Sequence, residues 1–303
     1  MALINSSSFA KALWPGINSW YGKSYDEYAV EFDRLFDKYT SNKQYEEDVG
    51  ISSFGLAILK PEASPISYDQ ERQTFTTRYV HNVFALGFII TREIMEDDQY
   101  DVVGQKKAQG LAFSIRQTKE VNGANVYNRA FNSSYTFGDG KEMISSAHPN
   151  FAGGTFSNII STASDLSEAA LEQACIDISL FTNDRGLRIA VKPETLIIPP
   201  TLDFEAARIL KSQGRVGTEF NDINALNNLS KFTKGYFINH YLTDNDAWFI
   251  RTNVKDGLKY FERRADAFEQ DNDFDTENAK FKATSRYSFG ITDPRAIYGS
   301  AGA

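Results

Sequence analysis

The sequence predicts an α+β fold, and three observations predict it. Several stretches alternate apolar and polar residues with the period of two that a half-buried strand requires. Others repeat apolar residues at the three-to-four spacing of a helix packed on one face. The two kinds follow one another without the strand–helix–strand rhythm of a doubly wound sheet. With 303 residues, 42% of them hydrophobic, the chain is long enough to bury a sizeable core.

Residues 1–24 are rich in Ser, Gly and Trp, and Trp14-Pro15-Gly16 breaks any regular element. This stretch, which also carries Trp20, reads as an arm lying on another surface. An amphipathic helix is expected next, with Ser24 as its cap and Glu27 completing a capping box. Tyr25, Tyr28, Ala29, Phe32, Leu35, Phe36 and Tyr39 form its apolar stripe, and acidic residues occupy the other face. A membrane-surface helix would carry Lys and Arg there, so this helix docks on protein. From Val49 to Ile90 the chain reads as extended, with Phe54, Leu56 and Ile58 and then Phe75, Thr77, Tyr79 and His81 alternating. The turn Lys60-Pro61-Glu62-Ala63-Ser64-Pro65 lies between these runs and makes them a long projecting hairpin. Such a hairpin has too little core to be stable alone and must lean on a neighbouring domain or subunit.

Residues 92–131 predict a long helix whose small-residue face, Tyr100, Gly104, Ala108, Leu111, Ile115 and Thr118, packs closely on a sheet. After a loop-rich stretch, a second helix is expected from an Asp165 cap to about Phe181, stopped by Asn183-Asp184-Arg185-Gly186. Leu187 to Ile198 reads as a strand pair turning at Lys192-Pro193-Glu194, and Phe204 to Leu210 as a short helix. Tyr236 to Leu242 and Ala247 to Thr252 read as a hairpin. Leu258 to Phe268 and Lys280 to Ile291 are two closing extended segments.

Composition limits the chemistry. One cysteine excludes an internal disulfide framework and a thiolate zinc site. Three histidines leave little for a histidine metal centre, and a net charge of -8 argues against a groove that grips phosphates. The 23 Phe and 15 Tyr point instead to packing and pairing. The N-terminus lacks the basic and apolar pattern of a signal peptide. The longest apolar run, Val83 to Ile90, is far short of the ~20 residues a membrane span needs. The expected site of synthesis and use is therefore the cytoplasm of a host cell.

No motif assembles into a catalytic constellation, a cofactor site or a metal site. Gly22-Lys23-Ser24 resembles the end of a phosphate-binding loop, but Ile17 stands where that loop needs glycine. Asp271, Asp273 and Asp275 have calcium-loop spacing, yet Thr276 and Lys282 occupy the positions of the required Gly and Glu. His148 has the side chain of a general base, but no nucleophile-elbow sequence accompanies it, and it reads as a histidine that satisfies loop backbone groups. Cys175, between Ala174 and Ile176, reads as a small core residue. The protein is not expected to be an enzyme.

Four groups of residues, in order, resemble the major capsid proteins of tailed bacteriophages, in particular the Mu-like major head subunit family. The first is Leu86-Gly87-Phe88-Ile89-Ile90-Thr91-Arg92-Glu93 with Glu96-Asp97-Asp98. The second runs through Gly138-Asp139-Gly140-Lys141, Ser145-Ser146-Ala147-His148-Pro149 and Gly153-Gly154-Thr155-Phe156-Ser157-Asn158. The third is Asp165-Leu166-Ser167, Arg185-Gly186 and Leu196-Ile197-Ile198-Pro199-Pro200. The fourth is Arg286-Tyr287-Ser288-Phe289-Gly290 with Asp293-Pro294-Arg295-Ala296-Ile297-Tyr298-Gly299. Their order over 86–299 carries the match, while the first 85 residues agree in layout only.

The resemblance implies the Hong Kong 97-type phage capsid fold. It implies an N-terminal arm over 1–48 and an extended loop over 49–90 that overlaps a neighbour. It also implies a peripheral domain over 91–152 and 256–303, with a long spine helix, and an axial domain over 153–255. The implied function is a major head protein that self-assembles into pentamers and hexamers of an icosahedral shell around double-stranded DNA. The expected partners are copies of itself, portal, scaffolding and possible decoration proteins, and weakly held DNA, with no membrane and no cofactor. Without a charged leader before the arm, scaffolding is expected from a separate protein. Candidates for contact between subunits are Trp14, Trp20, Phe32 and Phe36 of the arm, and Lys60, Pro61, Glu62, Phe75 and Tyr79 of the loop. Arg92, Asp98 and Arg185 are further candidates. Some relatives crosslink a loop lysine to a neighbour's asparagine; Lys60 is near the tip, but no asparagine or assisting acid is identified, and an ordinary surface lysine is expected. The rival readings are a cargo-holding nanocompartment shell of the same fold and a soluble hydrolase using carboxylates, which would need a deep acidic pocket.

Overall fold

A computed structural model describes residues 29–96, 100–150, 152–214, 223–273 and 277–303, with residues 19, 21–23 and 25 ahead of them. Residues 19, 21–23 and 25 are helical, and they are followed by a single helical turn, α1 (Phe32–Leu35), and the short strand β1 (Asp37–Thr40). Strands β2 (Tyr45–Ile51) and β3 (Gln73–Val80) form an antiparallel hairpin, and β4 (Asn82–Ile90) follows. Helix α2 (Arg92–Glu96) precedes the long helix α3 (Tyr100–Asn128). The two-residue strands β5 (His148–Pro149) and β6 (Thr155–Phe156) pair before helix α4 (Glu168–Ser179). Strand β7 (Pro193–Ile198), helices α5 (Asp203–Lys211) and α6 (Ala225–Asn228), and strands β8 (Tyr236–Ile238) and β9 (Trp248–Thr252) come next. The chain closes with β10 (Leu258–Asn272), β11 (Ala279–Ile291) and β12 (Ile297–Ser300).

Two four-stranded sheets organise these elements, one ordered β1-β10-β11-β4 and the other β12-β9-β7-β8. On β11 the alternation is regular: Phe281, Ala283, Ser285 and Tyr287 are buried, while Lys280 and Lys282 are exposed on the other face. The buried side packs with α3 through Ala108, Leu111, Ala112 and Ile115. Close packing explains the small residues of α3. A Cβ added at Gly123 would lie 3.2 Å from Phe32 Cβ and 3.5 Å from the Phe289 ring. The second sheet packs with α4, α5 and α6 around Trp248, Leu171, Ile198 and Ile209. A third cluster joins the two sheets, with Tyr260 and Tyr287 from the first, Ile197, Phe249 and Ile297 from the second, and Phe32, Leu35 and Phe36 among them.

The α+β class, the long helix on a sheet, the projecting hairpin, the helix at Phe204 and the two closing strands all match the sequence expectations. Five local readings do not. Of the helix expected from Ser24 through Tyr39, Ala29 to Glu31 are not helical and the turn Phe32–Leu35 ends at once, because Phe36 is extended and Asp37–Thr40 pair in parallel with β10, with Tyr39 against the Phe261 ring. Ser24 and Glu27 lie outside the described residues. Helix α4 is capped by Ser167, whose hydroxyl accepts from Ala170 N at 3.2 Å, while Asp165 accepts from Ala303 N. Only Pro193–Ile198 of the expected strand pair is a strand, because its partners are β8 and β9 rather than the residues before it. For the same reason β8 and β9 are not a hairpin, as β7 lies between them. Finally, the hairpin starts at Tyr45, its ladder stops before Phe54, and residues 82–90 belong to the larger sheet.

Candidate inter-subunit surface

The hairpin is anchored at its stem and free along much of its tip. Both stems arise from edge strands of the first sheet: β1 leads into β2 and, through His81 alone, β3 leads into β4. Tyr79 and Thr77 are buried, and Tyr79 Oη hydrogen-bonds Thr292 Oγ1 at 2.6 Å. Burial drives the Tyr79 phenol well above its usual range, so it remains a neutral hydroxyl. Asp48 on β2 pairs with Lys259 of β10 and accepts from Thr292 Oγ1 at 2.8 Å. His81 is buried, its Nδ1 is 2.9 Å from Ser288 Oγ, and its ring tilts against Phe261. Burial, followed by the nearby Arg286 charge, lowers the His81 pKa and holds the ring neutral.

Residues 53–72 have no ladder of their own. Their turn closes with Ser64 N donating to Pro61 O at 3.3 Å. Three apolar side chains on the tip stand almost free: Leu56 is 77% exposed, Leu59 90% and Tyr68 91%. Phe54, Ile58 and Ile66 are exposed beside them. That is too much contiguous apolar surface for a segment meant to face water. One flank of the tip is tied down. Arg185 Nη1 is 2.7 Å from Asp69 Oδ2, Arg185 Nη2 donates to Gln70 O at 2.8 Å, and Asn183 Nδ2 donates to Ser53 Oγ at 2.8 Å. Asp69 is held below the usual carboxylate range by the Gly55 and Gln70 amides, with Arg185 adding to them. The loop that receives the tip is itself fastened by Arg295, which donates to Thr182 O at 2.7 Å and to Asp184 Oδ1 at 3.0 Å.

The expected contact residues therefore divide. Lys60, Pro61 and Glu62 are exposed at the tip, and Phe75 is half-buried in a cleft of about 270 Å³ at the hairpin base. Phe32, Phe36 and Tyr79 are buried within this chain, two at the joint of the sheets and one on the hairpin stem, so they are not available to a neighbour. Arg92 pairs with Glu277, and Arg185 with this chain's own hairpin. Trp14, Trp20 and Asp98 lie outside the described residues. Sequence reasoning missed Leu59, Ile66 and Tyr68, whose signal was apolar residues flanking a proline turn. It also missed Arg295 and the Asp48–Lys259 pair, which only the tertiary fold brings together.

The residues considered for chemistry are held in structural roles. Both ring nitrogens of the buried His148 face acceptors, Asp139 Oδ2 at 2.6 Å and Asn158 Oδ1 at 3.1 Å. Asn158 in turn donates to Met143 O and Pro294 O. The partners are thus side chains rather than the loop backbone. Burial in the α4 core pushes the Cys175 thiol up to about 11, which leaves it protonated. Among the described residues, no group of three or more His, Cys, Asp or Glu is placed to hold a metal ion. No helix among them is long and apolar enough to cross a membrane.

The family model described as phage capsid protein matches residues 74–300, about three quarters of the chain. The chain belongs to the phage capsid protein family. No curated protein matches this capsid protein in sequence. Solved structures match it in fold. The virus-like particle from Pyrococcus furiosus is 14% identical with a TM-score of 0.55, over 94% of this chain and 98% of that one. The procapsid of bacteriophage JBD30 is 12% identical with a TM-score of 0.55, over 97% and 75%. The capsid of the cyanophage P-SCSP1u is 11% identical with a TM-score of 0.55, over 91% and 88%. At these identities the likeness establishes the Hong Kong 97-type capsid fold for the capsid protein.

Proposed function

We propose that the chain is the major head subunit of a tailed phage, of the Mu-like kind, and self-assembles through pentamers and hexamers into an icosahedral shell around double-stranded DNA. The exposed apolar tip over residues 53–68 carries this reading, because its apolar side chains are left exposed instead of packing into the core of their own chain. In the shell the hairpin overlaps a neighbouring copy, with Leu56, Ile58, Leu59, Lys60, Pro61 and Glu62 at the junction. Residues 153–255 form the axial part around the capsomer axis, and 91–152 with 256–303 form the peripheral part. Trp14, Trp20 and Asp98 remain contact candidates of the arm and of the segment before α3. Portal, scaffolding and possible decoration proteins complete the head. A net charge of -8 suits a wall along which DNA slides and from which it leaves.

A second reading is a shell of the same fold that holds protein cargo, favoured by the fold likeness to the Pyrococcus furiosus particle. Electron microscopy of the expressed protein, alone and with a scaffolding protein from its native source, tests both readings. Shells or capsomers are expected, and a monodisperse monomer under both conditions would overturn them. Nuclease-protected DNA inside native particles supports the phage head, and protein cargo without DNA supports the second reading.

A further inference from the structure

Among the described residues, one edge of the first sheet has no strand beside it. Strand β4, Asn82–Ile90, is nine residues long and contains no charged residue and no proline. It pairs with β11 on one side only. Most of its residues are exposed, including Val83, Leu86 and Ile89, which are 58%, 47% and 50% exposed. The opposite edge of the same sheet is built differently: β1 has four residues, two of them Asp37 and Lys38. One edge of the second sheet, β8, has only three residues. Short length and charge are the usual means of stopping edge-to-edge pairing, and β4 has neither. The described exception is at its far end, where Lys107 Nζ donates to Ile89 O at 3.2 Å. A long, uncharged edge with no described strand beside it is a template for one more strand.

We propose that the hairpin tip of a second copy, over residues 53–59, adds to β4 as an edge strand in the assembled shell. This rests on the shell reading above and names the surface on which the tip lands. Three observations select this occupant. The segment Ser53-Phe54-Gly55-Leu56-Ala57-Ile58-Leu59 is uncharged, matching the edge, and has no ladder partner of its own. Its seven residues fit the nine of β4. The tip cannot serve its own β4, because β3 runs directly into that strand through His81 and carries the tip away to Arg185. Strand addition supplies main-chain hydrogen bonds for affinity, and alternate side chains set the register.

Cysteine pairs test this in a Cys175→Ala background, which removes the single native thiol. Phe54→Cys, Leu56→Cys and Ile58→Cys are each combined with Val83→Cys, Ala85→Cys or Ile89→Cys, and shells are oxidised. Facing residues on paired strands lie about 4.5–5.5 Å apart, within disulfide reach. Ladders of covalent oligomers are expected from shells for pairs of one register, and only monomer bands from unassembled protein. Shells that form without any ladder overturn the proposal while leaving the shell reading intact. A ladder from Leu3→Cys with Ala85→Cys, in shells where no tip cysteine reacts, assigns the edge to the N-terminal segment and also overturns it. If the Cys175→Ala protein forms no shells where the unmodified protein does, the same pairs are read in a Cys175→Ser background. If the unmodified protein forms none, the shell reading falls and the proposal with it. An independent variant, Ala85→Lys, places on β4 a charge such as the opposite edge, β1, carries. It is expected to abolish shells with the thermal midpoint of the free subunit unchanged, and full assembly by this variant would refute the pairing.

Discussion

Glu120 offers the sharpest test of how the arm is held. This residue of α3 is 2% exposed, and its two carboxylate oxygens accept from Glu31 N at 3.0 Å and Phe32 N at 2.9 Å. It therefore does for α1 what an N-cap side chain would do, from a different element. Glu120→Ala leaves two amides without acceptors beside a buried Phe32. Each orphaned buried group costs about 1–3 kcal/mol. The gain on the other side is relief of a desolvated carboxylate, whose pKa burial raises, so the net loss is expected at about 2–4 kcal/mol. Glu120→Gln keeps one acceptor and is expected to lose about 1 kcal/mol. Because the folded pKa is raised, Glu120 contributes most below its unfolded pKa, and this contribution is lost as pH rises through the folded value. The Gln penalty should therefore shrink with rising pH. Amide exchange reads the arm directly: at tenfold per 1.4 kcal/mol, the Phe32 amide in Glu120→Ala should exchange roughly 30- to 1,000-fold faster. Equal protection of Phe32 in wild type and Glu120→Ala would refute the reasoning.

Other consequences are open to equally direct measurement. His81 has a lowered pKa, so its contribution is present above the unfolded value near 6.5 and lost as pH falls through the folded value. In urea titrations His81→Gln should remove part of the acid destabilisation of wild type, and an unchanged pH profile would rule the ring out as its source. A Cβ at Gly87 would lie 2.6 Å from the Phe281 carbonyl oxygen, so Gly87→Ala is expected to cost about 1–3 kcal/mol in urea denaturation. A stability within experimental error of wild type would show that β4 and β11 separate more easily than their register implies. Arg185→Ala should free the tip without unfolding the body: limited proteolysis within 53–72 accelerates while the thermal midpoint holds. Unchanged cleavage would mean the apolar residues alone keep the tip in place.

Regular elements were legible wherever local pattern and tertiary context agreed. The extended segment read over Lys280 to Ile291 is β11, where Phe281, Ala283, Ser285 and Tyr287 alternate with polar residues because one face is buried by a helix and the other faces water. The readings that failed have a common cause. Phe32, Leu35, Phe36 and Tyr39 keep helical spacing, yet the chain turns at Phe36 because β10 offers Asp37–Thr40 a ladder that no local pattern reveals. The hairpin expected over 236–252 failed in the same way, when β7 entered between its strands from an earlier point in the sequence. Of the contact surface, the proline turn and its apolar flanks were visible in the residues themselves. The burial of Phe32, Phe36 and Tyr79 was not, since aromatic content does not say which side of an interface an aromatic occupies.

The charges around the arm make sense as a device for register more than for stability. Lys119, 4% exposed, lies 2.7 Å from Asp266 and 3.8 Å from Glu262, with the Phe32 ring 5.9 Å away. Asp266 also accepts from Tyr25, whose carbonyl accepts from Arg116 at 2.7 Å. Burying this many charges gains little over apolar residues of the same volume, because desolvation offsets most of the attraction. What the cluster does is penalise alternatives. An arm shifted by one residue would leave Asp266 without its Tyr25 partner and Glu120 without its two amides, each inside the protein. An apolar seat would tolerate that slip, since Phe32 and Leu35 could repack. The hairpin tip shows the opposite choice, with apolar residues exposed and one ion pair at its flank. In the proposed shell a subunit gains from both: an arm with one seat, and a tip whose apolar side chains are free to meet a neighbour.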